Sequence, residues 1–316
     1  MSLASRAKRW LLGSALPNEY LCLRADAITD GLRAELLAGD VRIDVTGQNF
    51  LLGYKPLLIG VAASGDHAAC TDRTQATLNF VTGSGRAVAS LELLLIRQAR
   101  FGDDILLVFE GRHGQHEFLS RAHRAINRAY EAVRIGPAGN VGLGGNLYEQ
   151  VRIGYAQPRL IAVISLGLNG RFNLFPTDLH GPFGDRHYAG SLRIGGKASD
   201  QVQRLRQLTL STVEAGSFRG TYRLGKNHMR DLADGDAFEL APFRSTRFDL
   251  PLPKYVLGYR ELQWIDCFDA GIHRIHFYEI VYRQFHPQEA AALAHVHRFY
   301  AQWRADRGLS APWLLR

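Results

Sequence analysis

Strand-like apolar runs follow one another through the first half of the chain, and they constrain the fold more than any other feature. The runs are PLLIGVAA (56–63), QATLNFVT (75–82), AVASLELLLI (87–96) and DDILLVFEG (103–111). The Gly, Ser and Asp residues between them are typical of turns. Strands joined by such short connections pair as antiparallel neighbours, so this half is predicted to form a β-meander.

A helix is predicted to close the meander, because HEFLSRAHRAINRAYEAVR (116–134) has apolar residues at helical spacing. These residues are Leu119, Ala122, Ile126, Tyr130 and Val133. The Gly-rich segment 135–146 that follows is typical of a flexible connection, and its glycines do not form a GxGxxG fingerprint. Because 316 residues exceed the usual single-domain size, we expect two domains, residues 1–140 and 147–316.

The second half is predicted to alternate strands with two helices. RLIAVISL (159–166) predicts a strand, and a helix is predicted from Ser199. ELQWIDCF (261–268) and IHRIHFYEIVY (272–282) predict a β-hairpin. A last helix is predicted to start at Pro287. Its apolar residues would be Leu293, Val296, Tyr300 and Trp303.

Two pairs of segments point to an internal repeat. Residues 55–62 and 157–164 share Pro, Leu, Ile and Val in register, and residues 92–110 and 261–279 share Glu, Leu, Ile, Gly and a final Glu without a gap. Two unrelated apolar hairpins can also match by chance, so duplication and coincidence both stay open. If the repeat is real, the first half is a shortened copy that lacks a counterpart of residues 170–240.

Charge and cysteine content narrow the partners and the compartment. A formal charge of +8 favours an anionic partner such as a nucleotide, a nucleic acid or an acidic membrane surface, and a merely basic surface explains it equally well. Cys22, Cys70 and Cys267 lie far apart, which favours a reducing, cytoplasmic compartment. The longest apolar runs are too short for a membrane helix, and SRAKRWLLGSALPNEY near the start has no A-x-A cleavage site, so we expect a mature chain with no membrane segment.

The polar stretch 170–202 contains an arrangement typical of a phosphate site. A strand is predicted to end at Arg193, two glycines then allow a close turn, and a helix begins near Ser199 after Lys197. Backbone N–H groups at a helix start and two cationic side chains would meet there. An ordinary N-cap beside solvated cations is the competing interpretation.

Residues upstream of this turn carry a resemblance to a known family. A strand, an NG turn, N-x-x-P, S-x-R, a basic Gly-containing turn and a helix occur here in the order typical of the flavin reductase-like family of FMN-binding split barrels, which this chain resembles. The resemblance implies phosphate and ribityl contacts from Ser191, Arg193, Lys197 and Ser199. It implies flavin ring contacts from Asn173, Pro176 and Thr177, a segment that from its residues alone could equally be a wide loop.

The closing segment 250–281 adds to this resemblance, which covers residues 152–285. It resembles the L-E-C, G-D-H and G-E-V segments of the family at Glu261, Cys267, Gly271, His273, Glu279 and Val281. In the family the turn histidine lies near the flavin and the nicotinamide site. His273 is therefore the candidate for the catalytic region, in a positioning and electrostatic role, whereas His276 is expected on the other strand face in a structural role.

Four positions depart from the family pattern. Asp178 stands where Ser or Thr is usual, Ala198 replaces a Thr so that Ser199 would serve one position later, DRHYAG replaces DPPL, and Ile272 replaces the Asp of G-D-H. FMN binding is compatible with these changes. Turnover with a nicotinamide nucleotide is the property that they affect first.

The resemblance implies a mainly β chain with helices, in which an FMN-binding split β-barrel (147–316) follows a smaller β-rich α+β domain. The implied function is that of a flavoprotein that reduces FMN, or a small substrate through FMN, with NADH or NADPH. Split barrels of this family are typically dimers, which implies either a homodimer or a pseudo-dimer within one chain.

Two other functions stay open at this stage. One is a non-enzymatic basic module for RNA or single-stranded DNA, which is disfavoured because aromatic residues and Arg are not interleaved on one strand pair. The other is a flavin or haem carrier without turnover. No metal site is expected, since the spacing of His180, Asp185 and His187 matches no common ligand pattern. His295 and His297, two apart on a predicted helix, would face different directions.

Overall fold

The computed structural model describes residues 9–14, 16, 18–63, 74–133, 142–285, 290–309 and 313. Within these residues the chain is mainly β, as predicted, and its strands form two large sheets and two small ones. None of the helices in this part of the chain is long and apolar enough to cross a membrane.

Seven strands of the first half form one antiparallel sheet, which follows strand β1 (Tyr20–Arg24). They are β2 (Arg33–Ala38), β3 (Val41–Asp44), β4 (Asn49–Tyr54), β5 (Leu57–Ala63), β6 (Gln75–Val81), β7 (Ala87–Phe101) and β8 (Asp104–His116). Their order across the sheet is β3-β2-β6-β7-β8-β5-β4. The predicted meander is confirmed for the neighbouring strands β6, β7 and β8. The first predicted run, residues 56–63, forms β5, which pairs with β8 and not with β6.

Eight strands of the second half form the other large sheet, in the order β12-β13-β19-β18-β14-β10-β11-β15. They are β10 (Ala162–Leu168), β11 (Arg171–Thr177), β12 (His180–Pro182), β13 (His187–Arg193), β14 (Gln207–Val213), β15 (Ala233–Asp234), β18 (Val256–Ala270) and β19 (His273–Phe285). The short strands β9 (Arg159–Leu160), β16 (Leu240–Arg244) and β17 (Pro251–Pro253) lie outside this sheet. The predicted hairpin is confirmed by β18 and β19.

The two large sheets share one strand order. Matched in chain order, β2 to β8 correspond to β10, β11, β12, β13, β14, β18 and β19. The sequence match between 92–110 and 261–279 therefore joins corresponding hairpins. The match between 55–62 and 157–164 is wrong, because 55–62 lies in β5, whose counterpart is β13. The extra segment of the second half is residues 214–255, between β14 and β18, and not the predicted 170–240.

Residues 9–12 are helical. The α-helices that follow them are α1 (Arg121–Val133), α2 (Leu147–Gly154), α3 (Lys197–Leu205), α4 (Phe218–Arg223) and α5 (Arg298–Ala305). The predicted helix is present as α1, but the apolar residues at helical spacing do not all lie on its buried face. Ile126 and Tyr130 are 36% and 45% exposed, whereas Asn127 is buried and donates a hydrogen bond to the Leu12 carbonyl (2.9 Å). A backbone partner from the start of the chain thus fixes which face of α1 turns inward.

The last helix is shorter than predicted, and its predicted start at Pro287 lies outside the described residues. Residues Leu293–His297 form strand β20, which lies between β1 and β9 in a three-stranded sheet. His295 and His297 therefore do not diverge as on a helix, because residues two apart on a strand share a face. Both rings contact Tyr20, with ring centroids 5.2 and 5.7 Å apart.

The core of the first sheet includes residues from the end of the chain. Ala294 and Val296 of β20 and Phe299, Tyr300 and Trp303 of α5 belong to the same apolar cluster as the strands of the first half. Helix α2 also joins this cluster through Val151 and Ile153. These contacts cross the boundary that we expected at residues 140–147.

Helix α3 fills the open side of the second sheet. Its residues Ala198 and Val202 share one apolar cluster with Phe175 of β11 and Leu192 of β13. Because β11 and β13 lie near opposite edges of the sheet, the sheet curls around this cluster. The open barrel thus places the start of α3 at one end of β13.

The two halves pack against each other through a separate apolar cluster. The first half contributes Leu52, Leu58, Leu106 and Val108 among others, and the second half contributes Phe183, Ala189, Ile275 and Phe277. The ungapped match of 92–110 with 261–279 aligns Leu106 with Ile275 and Val108 with Phe277. Equivalent positions of the two halves therefore meet in one interface.

Turn contacts between the halves are reciprocal. The Ile272 N–H, in the β18–β19 turn, donates to the Lys55 carbonyl in the β4–β5 turn (3.1 Å). In the other direction, His187 Nδ1, at the start of β13, lies 2.7 Å from Asp104 Oδ2, beside the β7–β8 turn. The turn before β5 thus contacts the long hairpin of the second half, and the start of β13, the counterpart of β5, contacts the long hairpin of the first half.

Candidate functional site

The basic turn of the second half lies between β13 and α3. β13 ends at Arg193, Gly195 has a φ of +75°, and Gly196 is the N-cap residue of α3. A glycine suits position 195 because other residues rarely adopt this backbone conformation. Gly196, as the N-cap residue, has no side chain to cap the first turn of α3, and the side chains of Arg193 and Lys197 are exposed. The turn therefore has the cations and the open helix start that the sequence predicted.

The segment 224–231 lies beside this turn. Lys197 Nζ forms an ion pair with Asp231, and both side chains are largely exposed. A Cβ built on Gly196 would lie 3.6 Å from Met229 Sδ and 3.8 Å from the His228 carbonyl. The extra segment of the second half thus borders the basic turn.

Ser191 and His273 meet at the end of β13 that carries this turn. Ser191 Oγ lies 3.3 Å from His273 Nδ1, and the Tyr54 N–H donates to His273 Nε2 (3.1 Å). Because Nε2 accepts, the ring proton of a neutral His273 lies on Nδ1 and points to Ser191 Oγ. Tyr54 belongs to β4, so the first half supplies part of this arrangement.

His273 is only 1% exposed. Its burial, and next the charge of Arg193, lower its pKa to about 4, while Asp178 acts in the opposite direction. The ring is therefore neutral near pH 7, as its acceptor role toward Tyr54 requires. A neutral buried ring orients Ser191 and anchors β4, and it carries no positive charge for a phosphate.

Ser199 points into the barrel and away from the cations. It is fully buried, and its Oγ lies 3.5 Å from His276 Nε2. His276 Nδ1 accepts a hydrogen bond from Trp264 Nε1 (3.2 Å), and burial lowers the pKa of His276 to about 4. Ser199 is therefore joined to the barrel interior and does not meet Arg193 and Lys197 at the surface.

Asn173 is held by α3 and by the extra segment. Its Nδ2 donates to Gln201 Oε1 (2.8 Å) and to the carbonyls of Asn227 (3.0 Å) and Arg230 (3.4 Å). Asn173 is also buried. Its amide thus links β11 to α3 rather than meeting Ser191 and Arg193.

Pro176 and Thr177 are partly exposed at the end of β11. Thr177 Oγ1 accepts a hydrogen bond from the Leu179 N–H (3.3 Å), and the Leu179 carbonyl accepts one from the Ser191 N–H (2.9 Å). Thr177 and Ser191 also line one small cavity of about 10 Å³. The structure therefore brings Thr177, Ser191, Arg193 and His273 into one region.

Asp178, which departs from the family pattern, joins three parts of the chain. Its Oδ2 accepts hydrogen bonds from Tyr155 Oη (2.7 Å) and His295 Nε2 (2.7 Å), and His295 Nδ1 lies 3.0 Å from Tyr222 Oη. Burial alone would raise the pKa of Asp178, but the bonds from His295 and Tyr155 lower it to about 2. Asp178 is thus an ionised structural carboxylate beside Thr177.

Sequence reasoning missed Tyr54 and Asp231. Tyr54 lies 219 positions from His273, and no local pattern marks such a contact. Asp231 lies in the extra segment, whose packing on α3 depends on the fold of the whole second half. Among the described residues, no group of three or more His, Cys, Asp or Glu side chains is placed to hold a metal ion.

Comparisons with known proteins give only matches of low similarity, and these cover about half of the chain. No family model and no curated protein matches the sequence. Among solved structures, the flavin reductase component of a bacterial two-component tryptophan halogenase matches with a TM-score of 0.42 and 15% identity, over 48% of this chain and 94% of that chain.

Two further solved structures match over a similar share of the chain. An NADH:FAD oxidoreductase from Streptomyces globisporus has a TM-score of 0.42 and 14% identity, over 50% of this chain and 94% of that chain. An FMN-binding protein from Thermus thermophilus has a TM-score of 0.40 and 15% identity, over 52% of this chain and 97% of that chain. Likeness at this level does not establish a family for the chain.

Proposed function

We propose that the second half binds FMN with its phosphate at the basic turn, and that the protein is a flavin-dependent oxidoreductase that uses NADH or NADPH. The observation that carries the proposal is the meeting of Arg193, Lys197 and the uncapped start of α3 at one exposed turn. This turn follows Ser191 in the S-x-R order by which the chain resembles the flavin reductase-like family.

The residues at the phosphate end fit this group. An anion at the start of a helix accepts hydrogen bonds from backbone N–H groups, and Gly196 adds no side chain that would compete for them. Lys197 would exchange Asp231 for the phosphate, at little cost because the existing pair is exposed. Charge-assisted contacts from Arg193 and Lys197 would each contribute about 1.5–3 kcal/mol.

At the ring end, some residues contact the flavin directly in this proposal and others hold the site in place. Pro176, Thr177 and Ser191 are the residues that we assign to direct contact with the flavin. Asn173 and Ser199 have their polar atoms engaged inside the protein, so we assign them to holding α3 and the basic turn in place. A bound flavin supplies the hydride and electron transfer, and the chain binds and orients it.

His273 has a positioning role in this proposal. As a neutral ring it directs a proton to Ser191 Oγ and accepts the Tyr54 N–H, which holds the first half against the site. The substrate side of the flavin would then be bordered by both halves. This arrangement supports the pseudo-dimer alternative, and a homodimer of the whole chain stays a prediction.

Fluorescence titration with FMN tests the proposal. We expect saturable quenching of FMN by the wild type and at least about 100-fold weaker binding by the Arg193→Ala, Lys197→Ala double variant, because two charge-assisted contacts are lost. Arg100→Ala, Arg112→Ala removes the same charge from exposed sites of the first half and serves as the control. Equal FMN binding by both double variants, or no binding by the wild type, would disprove the proposed site.

Oxidation of NADH and NADPH in the presence of FMN then tests turnover. We expect a fall in absorbance at the nicotinamide band that depends on both the protein and FMN. Tight FMN binding without any such oxidation would instead favour the flavin-carrier alternative.

A further inference from the structure

The extra segment 214–255 encloses a cavity of about 300 Å³ against the second sheet. The cavity lies beside β11, and α4 and the residues that follow α4 cover it. Its lining includes Val163, Leu174 and Val213 from the sheet and Lys226, Arg230 and Lys254 from the extra segment. This volume is at the lower end of the range found for small-molecule pockets.

The floor of the cavity is apolar. Val163, Leu174 and Val213 come from β10, β11 and β14, and all three are fully buried in the cluster beneath the extra segment. Phe238 and Pro253 contribute apolar surface from the extra segment itself. An apolar ligand body that covers this floor would be removed from water, at about 25 cal/mol for each Å² buried.

The rim of the cavity has an excess of positive charge. Four cationic residues line it against two acidic ones, Asp231 and Glu239. Asp231 is paired with Lys197, and Glu239 lies 3.5 Å from Arg223. Within the described part of the chain, the other cations, Lys226, Arg230 and Lys254, have no acidic group within ion-pair distance.

Two polar side chains in the wall are engaged within the protein. Asn227 Nδ2 donates to the Leu174 carbonyl (2.9 Å), and Thr221 Oγ1 lies 3.2 Å from Ser217 Oγ. The first bond fixes the extra segment to β11, and the second lies within the extra segment. The ligand contacts that remain are therefore the apolar floor and the cationic rim.

We infer that this cavity binds a small organic anion with an apolar body, such as an aromatic or aliphatic carboxylate, sulfonate or phosphate ester. The floor matches the body, and Lys226, Arg230 and Lys254 match the anionic group. An inorganic anion would leave the floor uncovered, and a polymer would not enter a cavity of this size. The inference does not depend on FMN binding, because the phosphate turn and this cavity use different cations. The two sites adjoin at Asp231, which pairs with Lys197 and also lines the cavity.

The cavity is a property of the second half alone. The corresponding connection in the first half, between β6 and β7, is the turn at residues 82–86. That turn has no residues to cross the sheet as 214–255 does. Any ligand of the cavity is therefore specific to the part of the chain in which the halves differ most.

Two fluorescent probes with the same kind of apolar body test the inference. 8-Anilinonaphthalene-1-sulfonate carries an anionic group, and N-phenyl-1-naphthylamine lacks it. We expect the wild type to bind the sulfonate at one site at least about 10-fold more tightly than the neutral amine, because the rim cations act on the charged probe only. Equal affinity for the two probes would overturn the inference.

Variants locate the bound probe. Lys226→Gln, Lys254→Gln should weaken sulfonate binding by about 10-fold and leave the neutral amine unchanged, whereas Arg247→Gln, an exposed cation of the same segment outside the cavity, should change neither. Gly220→Leu adds a side chain at the cavity wall and should weaken both probes. Sulfonate binding that is the same in all three variants would place the probe elsewhere and overturn the inference.

Competition separates this site from the proposed flavin site. FMN should not displace the sulfonate probe, and Arg193→Ala should weaken FMN binding while leaving the probe unchanged. Displacement of the probe by FMN would show that the cavity is not a separate site. Loss of FMN binding with an intact probe site would disprove the proposed function alone.

Discussion

The two halves of the chain have the same strand order and different connections. The connections differ most at one place. Residues 82–86 join β6 to β7, whereas residues 214–255 join the corresponding strands β14 and β18. The basic turn and the cavity both lie on connections of the second half. The shared sheet is thus a scaffold, and the groups that can bind ligands were placed on its loops.

The equivalent turn glycines, Gly102 and Gly271, allow the strongest test of this comparison. They have nearly the same φ, +61° and +60°. A Cβ on Gly102 would meet open space, but a Cβ on Gly271 would lie 2.2 Å from Pro56 Cδ and 2.4 Å from the Lys55 carbonyl. Gly102→Ala should therefore cost only backbone strain, about 1 kcal/mol, and Gly271→Ala about 3 kcal/mol or more because it also pushes against the first half.

Urea unfolding of the two glycine variants measures this difference in free energy. Gly102→Ala is the matched control, since the two positions share their backbone conformation. A loss of the same size in both variants would mean that the β4–β5 turn does not rest on Gly271 as described.

A second test of the comparison uses His273. The sequence match aligns this buried histidine with Asp104 of the first half, so the halves differ in chemistry at this position. The pKa of His273 is lowered to about 4 in the folded protein and is near 6.5 in an unfolded chain. The neutral ring therefore stabilises the fold above pH 6.5, and this contribution is lost as the pH falls from 6.5 toward 4. At pH 5 the expected loss is about 2 kcal/mol for this histidine.

Urea unfolding of the wild type and of His273→Gln at pH 7.5 and pH 5 measures the contribution of His273 to the free energy of unfolding. The wild type should lose more stability between the two pH values than the variant, by about 2 kcal/mol. His180, His276 and His297, whose pKa values burial also lowers to about 4, account for the pH dependence that the variant keeps. The same pH dependence in both proteins would contradict the buried neutral state of His273.

The smallest expected effect concerns the reciprocal contact of the first half. Asp104→Ala removes the 2.7 Å contact between Asp104 Oδ2 and His187 Nδ1. Both side chains are partly exposed, so the expected loss in the free energy of unfolding is about 1 kcal/mol. Asp103→Ala, at the exposed neighbouring position, should change stability by less than about 0.5 kcal/mol. Equal effects of the two substitutions would show that the contact between Asp104 and His187 does not contribute measurably to the free energy of unfolding.

Local patterns predicted those parts of the fold in which neighbours in sequence are also neighbours in space. The β6-β7-β8 meander and the β18–β19 hairpin are such parts, and both were predicted from apolar runs and turn residues. Strand β20 was predicted as a helix, because Leu293 and Val296 fit helical spacing and the partner strand β1 lies at the other end of the chain. Long-range pairing overrode the local pattern there.

The candidate site divides in the same way. Arg193, Lys197 and the start of α3 lie within a few residues of one another, so their meeting could be predicted from the sequence. The engagement of Asn173 by residues 227 and 230 and of His273 by Tyr54 depends on packing between distant segments. Such contacts leave no spacing in the sequence by which they could have been found.

The return of β20 and α5 to the first sheet has a consequence for synthesis of the protein. The apolar cluster of the first half needs Val296, Phe299 and Trp303, which emerge from the ribosome after every strand of the second sheet. The first sheet therefore waits with part of its apolar surface uncovered while the second is made, and such surface is prone to aggregation. The half that is translated first is expected to be the half that matures last.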